Sequence, residues 1–204
     1  TNVRGALVTM PHKVTTVDLV DEITPTVEIA GSCNAVLRRA DGTLLGDMFD
    51  GTAFVRGLAR KGFEVRGARC LVAGAGGVGS AIAASLAAAG AGAIALHDLR
   101  DATAEALAGR LRKHYPSLDV RLAGNDPAGY DLVVNGTPLG MEAGDPLPFD
   151  VARLDARTFV GEVVMKHEIT PLLAAARARG CRYQVGTDML FEMIPAYLEF
   201  FGFG

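Results

Sequence analysis

Arg69-Cys-Leu-Val-Ala-Gly-Ala-Gly-Gly-Val-Gly-Ser-Ala-Ile-Ala-Ala-Ser-Leu-Ala-Ala-Ala89 decides the fold. Five residues of strand character, Arg69–Ala73, run into Gly74-x-Gly76-x-x-Gly79, and Ser80–Ala89 is rich in the best helix formers. In a strand–turn–helix unit the first glycine makes the tight turn, the second lets backbone N–H groups approach a pyrophosphate, and the third lets helix and strand pack closely. The helix N-terminus adds partial positive charge for phosphate. Gly74, Ala75, Gly76, Gly77, Val78 and Gly79 thus read as the dinucleotide-binding fingerprint in the context it requires. The bland reading is a glycine turn with no ligand. Asp98 weighs against it, standing at the end of the next strand, 19 residues after Gly79. A carboxylate there accepts hydrogen bonds from ribose hydroxyls and repels a 2′-phosphate, which favours NAD over NADP. Arg100, two residues on, is the group that would meet a 2′-phosphate if the loop bent that way.

Working outward, strands at Ala93–Leu96, Val120–Leu122, Asp131–Asn135, Thr158–Val164 and Arg182–Val185 alternate with helices at Asp101–His114 and Leu172–Arg179. Asp101 and Thr103 are cap candidates for the first of these helices. Thr170-Pro171 starts the second and Gly180 stops it. This alternation predicts an α/β fold with a doubly wound parallel sheet, a Rossmann nucleotide-binding domain over residues 66–188. Residues 1–65 hold a strand (Gly5–Thr9), a helix (Lys13–Ile23), a strand (Ala35–Arg39) and a helix (Gly51–Lys61). An apolar, aromatic helix over Met189–Phe201 is placed to reach back to that first region.

Composition narrows the classes. With 204 residues and 50% hydrophobic content the chain has ample material for a packed core. A net charge of −3 lacks the basic stripe of a nucleic-acid protein. No apolar run approaches the roughly 18 residues of a membrane span. Three scattered cysteines and no Cys-x-x-Cys or His-x-x-x-His pair predict neither a disulfide framework nor a metal site. The reading is a soluble, cytoplasmic protein, monomeric or homodimeric. The opening Thr1-Asn2-Val3 reads as if cut into an existing fold, with something upstream missing.

Ahead of the glycine loop, Val8-Thr-Met-Pro-His-Lys13 ends an apolar strand on Thr9 and carries Lys13 just past a proline. Gly31-Ser-Cys-Asn34 precedes another strand, and Asp50 opens a helix. A lysine and an aspartate facing each other across a cleft make an acid–base pair. Singly, each has a bland reading: Lys13 as a solvated charge, Asp50 as a helix cap, Asn34 as a turn residue. Order and spacing argue otherwise.

Together with Gly74–Gly79, Asn135-Gly-Thr-Pro-Leu-Gly-Met141, Ile169-Thr-Pro-Leu-Leu173 and Gly186-Thr-Asp-Met-Leu190, these segments resemble the shikimate/quinate dehydrogenase family over essentially the whole chain. The resemblance implies a second, smaller α/β catalytic domain, here N-terminally incomplete, made of residues 1–65 with the C-terminal helix (189–204) packed back on it. It also implies an active-site cleft between the two domains. It makes Lys13 and Asp50 the catalytic pair and puts Thr9, Asn34 and Asp50 on substrate hydroxyls. Asn135 and Thr137 would line the cofactor cleft, with Val163 and Gly186 near the nicotinamide. The implied reaction moves hydride between NAD(P) and a ring alcohol of shikimate, quinate or a related cyclic hydroxy acid, with Lys13 exchanging the hydroxyl proton.

Three departures stand out. The family has Asn-Thr-Asp where this chain has Met48-Phe49-Asp50, a substrate-binding tyrosine where it has Met165, and a glutamine where it has Met193. Each lost neutral hydrogen bond weakens recognition of a polyhydroxylated ring by roughly 0.5–1.5 kcal/mol. A pair of carboxylate-gripping serines near the family's N-terminus is also absent from this sequence. The alternatives are a non-catalytic NAD(P)-binding sensor or regulatory protein, and a dehydrogenase of an amino-acid-derived ring.

Overall fold

The computed structural model describes residues 2–203. Its first four strands are β1 (Gly5–Leu7), β2 (Glu22–Ile23), β3 (Ala35–Arg38) and β4 (Leu44–Asp47), which form a sheet in the order β1-β3-β4-β2. β3 runs antiparallel to both β1 and β4, and β2 is parallel to β4. Between β3 and β4 the chain turns at Asp41-Gly42. The Asp41 carboxylate accepts from Thr43 N–H at 2.9 Å, and Gly42 takes φ +95°, where a side chain would be strained.

The helix expected over Lys13–Ile23 does not form. That span holds one 3-10 turn, Thr15–Leu19, followed by β2. Val14, Thr15, Thr16 and Val17 are β-branched. The Thr15 and Thr16 hydroxyls both donate to His12 O (3.1 and 2.8 Å), which competes with helical propagation. A short helix, α1 (Pro25–Ala30), follows instead. Its start is Thr24 with Pro25 at the first position, and its end is Gly31 at φ +64°.

α2 (Asp50–Arg60) leads into the second sheet, which is wholly parallel. β5 (Arg69–Ala73), β6 (Ala93–His97), β7 (Asp119–Leu122), β8 (Leu132–Asn135), β9 (Phe159–Glu162) and β10 (Tyr183–Gln184) lie in the order β10-β9-β8-β5-β6-β7. That is the doubly wound order, reversing direction between β5 and β8. Alternate side chains feed opposite faces. Cys70, Val72, Ile94 and Leu96 join a core with α2, α3 (Gly77–Ala88) and α4 (Asp101–His114). Leu71, Ala95, Val133 and Val160 pack against Leu172, Leu173 and Ala176 of α5 (Pro171–Ala178). Burial on both faces accounts for the unbroken apolar runs of these strands.

The caps expected at Asp101 and Thr103 are not used. Arg100 holds the cap position of α4 without a side-chain bond, and its N–H donates to Asp98 at 2.9 Å. α6 (Gly186–Phe200) starts three residues earlier than the apolar pattern suggests, because the Asp188 carboxylate accepts from Val185 N–H (3.0 Å) at its N-terminus. α6 lies against α2, and Lys61–Asp188 (2.9 Å) and Arg60–Glu192 (2.8 Å) tie the two helices. α2 in turn lies against α3 at Gly51, where a Cβ would stand 2.0 Å from Ala81 O. These contacts bring the loop after β1, the segment before β3 and the loop after β4 over the C-terminal edge of the parallel sheet.

Candidate active site

Lys13 sits in the loop after β1. That loop is pinned because Cys33 N–H donates to Lys13 O (2.8 Å). Asp50 is the first residue of α2, where the helix end favours a negative charge. Lys13 Nζ lies 2.5 Å from Asp50 Oδ2, with side-chain exposures of 13% and 2%. Asn34 Nδ2 donates to Asp50 Oδ1 (2.8 Å) and to the Tyr197 hydroxyl (3.0 Å), and its Oδ1 accepts from Phe49 N–H (3.0 Å). The Tyr197 hydroxyl donates to Met193 Sδ (3.3 Å), a weak acceptor. Burial and the nearby Asp50 charge push the Tyr197 phenol well above its ordinary value. Both Asp50 oxygens are therefore held, one by a cation and one by an amide, and the amide itself is fixed on three sides.

Lys13, Asp50, Met193 and Tyr197 form one wall of a cleft of about 620 Å³. Gly76, Gly77 and Val78 of the glycine loop, with Thr137 and Val163, form the other wall. The loop is built as a phosphate cradle requires. Gly74 takes φ +91°, and a Cβ on Gly79 would stand 1.9 Å from Gly74 O. A Cβ on Gly76, by contrast, would meet nothing within 4 Å, so that backbone is open to a ligand. Asp98 Oδ2 accepts from Ala75 N–H (2.8 Å), which fixes a carboxylate beside the loop with lone pairs to spare for ribose hydroxyls. The glycine loop, its first helical turn and Asp98 fit a dinucleotide. The walls also touch: Ser32 Oγ donates to Gly77 O (2.9 Å), and a Cβ on Gly77 would stand 3.4 Å from Lys13 Cβ.

Below the cleft, Glu162 is fully buried at the end of β9. Its Oε1 accepts from Asn135 Nδ2, Val163 N–H and Val164 N–H (2.9, 2.9 and 3.1 Å), and its Oε2 from the Thr170 hydroxyl (2.8 Å). Burial outweighs these bonds and holds its carboxyl above the ordinary value. Asn135 Oδ1 also accepts from the Thr137 hydroxyl (2.6 Å). The network fixes the ends of β8 and β9, and with them Thr137 and Val163 on the cleft wall.

Of the residues singled out in the sequence, Thr9, Lys13, Asp50 and Met193 line one side, Gly76, Gly77, Val78, Thr137 and Val163 the other, and Met165 lines the cleft from the end of β9. Asn34 and Asn135 do not line it. They are 1% and 0% exposed and orient their neighbours. Gly74, Ala75 and Gly79 shape the loop from behind, while Asp98 and Arg100 stand beyond its far end. Gly186 lies under Val164, where a Cβ would stand 2.2 Å from Val164 O. Cys33 is buried, its thiol pushed up by burial, and donates to Ala35 O (3.2 Å). Sequence reasoning missed Tyr197 and Met189. Met189, Met193 and Tyr197 are spaced four apart on α6, so one helix face carries all three into the cleft. Among the described residues no cluster of His, Cys, Asp and Glu could hold a metal ion, and no helix is long and apolar enough to cross a membrane.

No protein-family model matches the chain. It is 36% identical to the shikimate dehydrogenase (NADP(+)) of Geobacter sulfurreducens over 204 residues, covering 96% of this chain and 71% of that protein. It is 35% identical to the quinate/shikimate dehydrogenase (NAD(+)) of Corynebacterium efficiens, covering 99% and 73%. Among solved structures, quinate dehydrogenase from Corynebacterium glutamicum in complex with NAD matches with a TM-score of 0.86 at 33% identity, covering 98% of this chain and 73% of that one.

Proposed function

The chain belongs to the shikimate/quinate dehydrogenase family of NAD(P)-dependent oxidoreductases, and from that premise we propose that it transfers hydride between NAD(P) and a ring alcohol of a cyclic hydroxy acid, with Lys13 and Asp50 as its acid–base pair. The observation that carries this reading is the Lys13–Asp50 contact on the cleft wall that faces the glycine loop. Residues 1–65 with α6 would serve as the substrate unit and 66–188 as the cofactor unit.

Gly76, Gly77 and the first turn of α3 would hold the cofactor's phosphates, and Asp98 its ribose. When bound, the nicotinamide supplies the hydride acceptor or donor. The chain supplies the proton chemistry. In oxidation, Lys13 Nζ as the neutral amine takes the hydroxyl proton while the carbon loses hydride. In reduction, the ammonium returns that proton to the carbonyl oxygen. Asp50 fixes where Nζ points, and Asn34 fixes Asp50. Thr9 offers a hydroxyl to the substrate ring. Ser32 on Gly77 locks the two walls in register, which sets the distance between reacting groups. An intact buried pair of this kind places the enzyme reading above the non-catalytic sensor.

Asp98 makes NAD the favoured cofactor. Steady-state oxidation of shikimate and quinate, run separately with NAD and NADP, tests both points. Turnover with NAD ahead of NADP is the expected result. No turnover of either acid or of any related ring alcohol, despite bound cofactor, would return the sensor reading.

A further inference from the structure

Met10, Met141, Met165, Met189 and Met193 all line the cleft, five of the chain's six methionines. Met10, Met141 and Met189 stand inside segments that carry the family resemblance, whereas Met165 and Met193 stand where the family has a tyrosine and a glutamine. The five arrive from four places in the chain: the loop after β1, the loop after β8, the end of β9 and the face of α6. Core filling explains Met189 and Met193, which are 2% and 5% exposed. It does not explain Met10 and Met165, at 61% and 42% exposed, which have no core to fill. Val14, Val164 and Leu190 extend the same apolar wall, and the Tyr197 hydroxyl that reaches it donates to a thioether. Among the described lining residues the cations are Lys13, held by Asp50, and Lys166, paired with Glu142 at 2.7 Å.

Resting on the hydride-transfer reading above, the geometry points to a substrate with its reacting oxygen at Lys13, at most one further hydroxyl within reach of Thr9, and a hydrocarbon ring face against the methionines: a sparsely hydroxylated cyclic alcohol. Thioether side chains are flexible and polarizable, and they mould to apolar surface. Each further ring hydroxyl placed against them gives up its hydrogen bonds to water without replacement. A pocket of this kind rejects an added hydroxyl by about tenfold to a hundredfold.

The test compares kcat/KM for 3-hydroxycyclohexane-1-carboxylate with that for shikimate and for quinate, in the wild type and in Met165→Tyr and Met193→Gln. The expected result is a preference of about tenfold or more for the mono-hydroxylated acid, cut by roughly tenfold in each variant as polar groups enter the wall. Met165 is surface-exposed, so its variant remains informative if Met193→Gln fails to fold. Equal use of the acids, a preference for shikimate or quinate, or a ratio that neither variant moves would overturn the inference and leave the dehydrogenase reading standing. Failure of every ring alcohol would remove both.

Discussion

At the scale of single residues, Asp50 carries the most consequence. Its side chain is 2% exposed, and its partners are the Lys13 ammonium and the Asn34 amide. Removing one partner of a buried pair leaves the other charge uncompensated and costs about 3–5 kcal/mol. Lys13→Met should therefore lower stability in urea titration by ~3 kcal/mol, and adding Asp50→Asn should restore most of that loss. A double variant as unstable as the single one would show that the pair is not the source. Tyr197→Phe should cost about 1 kcal/mol, since it strips one acceptor from the Asn34 amide. Lys13 and Asp50 were legible because each sits in a short, ordered motif. Tyr197 was not, because the partner that explains it lies 163 residues away. Only its four-residue spacing from Met193 hinted at a shared face. Asn34 was legible as a site residue, but its role is to orient Asp50 rather than to face the cleft. The departure Phe49 has its counterpart in Tyr197, the two rings meeting edge to face at 5.3 Å.

At the scale of elements, Gly51 and Glu162 show how helices and strand ends are locked. A Cβ at Gly51 would collide with the α3 backbone at Ala81 O, so Gly51→Ala should separate α2 from α3 and cost about 1–3 kcal/mol in thermal or urea unfolding. Glu162 makes stability depend on pH. Its folded value lies above the ordinary 4.5, so the native state binds the extra proton across that interval. Stability should then fall as pH rises from 4.5 through the folded value and flatten beyond it, with no such fall below 4.5. Glu162→Gln, which keeps an acceptor oxygen for Asn135, Val163 and Val164 and turns its amide nitrogen as donor to the Thr170 hydroxyl, should remove this component of the slope, and identical pH slopes would contradict the assignment. Elements set by local chemistry were readable: β5 and α4 have the bounds the apolar pattern gives them. The span 13–23 was not, because threonine hydroxyls reaching back to His12 O end the helix at one turn, a contest that periodicity does not register. The Asp41-Gly42 turn and the Thr24-Pro25 start are local signals for β4 and α1, but the elements they open are only four and six residues long, too short to show a period of their own.

At the scale of the whole molecule, the parallel sheet was legible because each βαβ unit is local in sequence and its connections have one allowed hand. The mixed four-stranded sheet was less so, since β1 pairs with β3 across a long excursion that holds β2 and α1. What the assembled molecule adds is the cleft, where a wall built from residues near the start and end of the chain meets the glycine loop. The role proposed for Asp98 belongs to this scale, since it would select among whole cofactors. Asp98→Asn should shift the NAD-to-NADP ratio of kcat/KM toward NADP by about tenfold, or ~1.4 kcal/mol. An unmoved ratio would assign the preference to Arg100 and the loop instead. The most direct measurement of the account's core is single-turnover hydride transfer by the wild type and Lys13→Met, with NADH and NADPH binding followed by fluorescence in the same samples. The account predicts a loss of about 10²–10⁴ in the transfer rate with nucleotide affinity unchanged. Transfer at the wild-type rate in Lys13→Met, with cofactor bound, would contradict it.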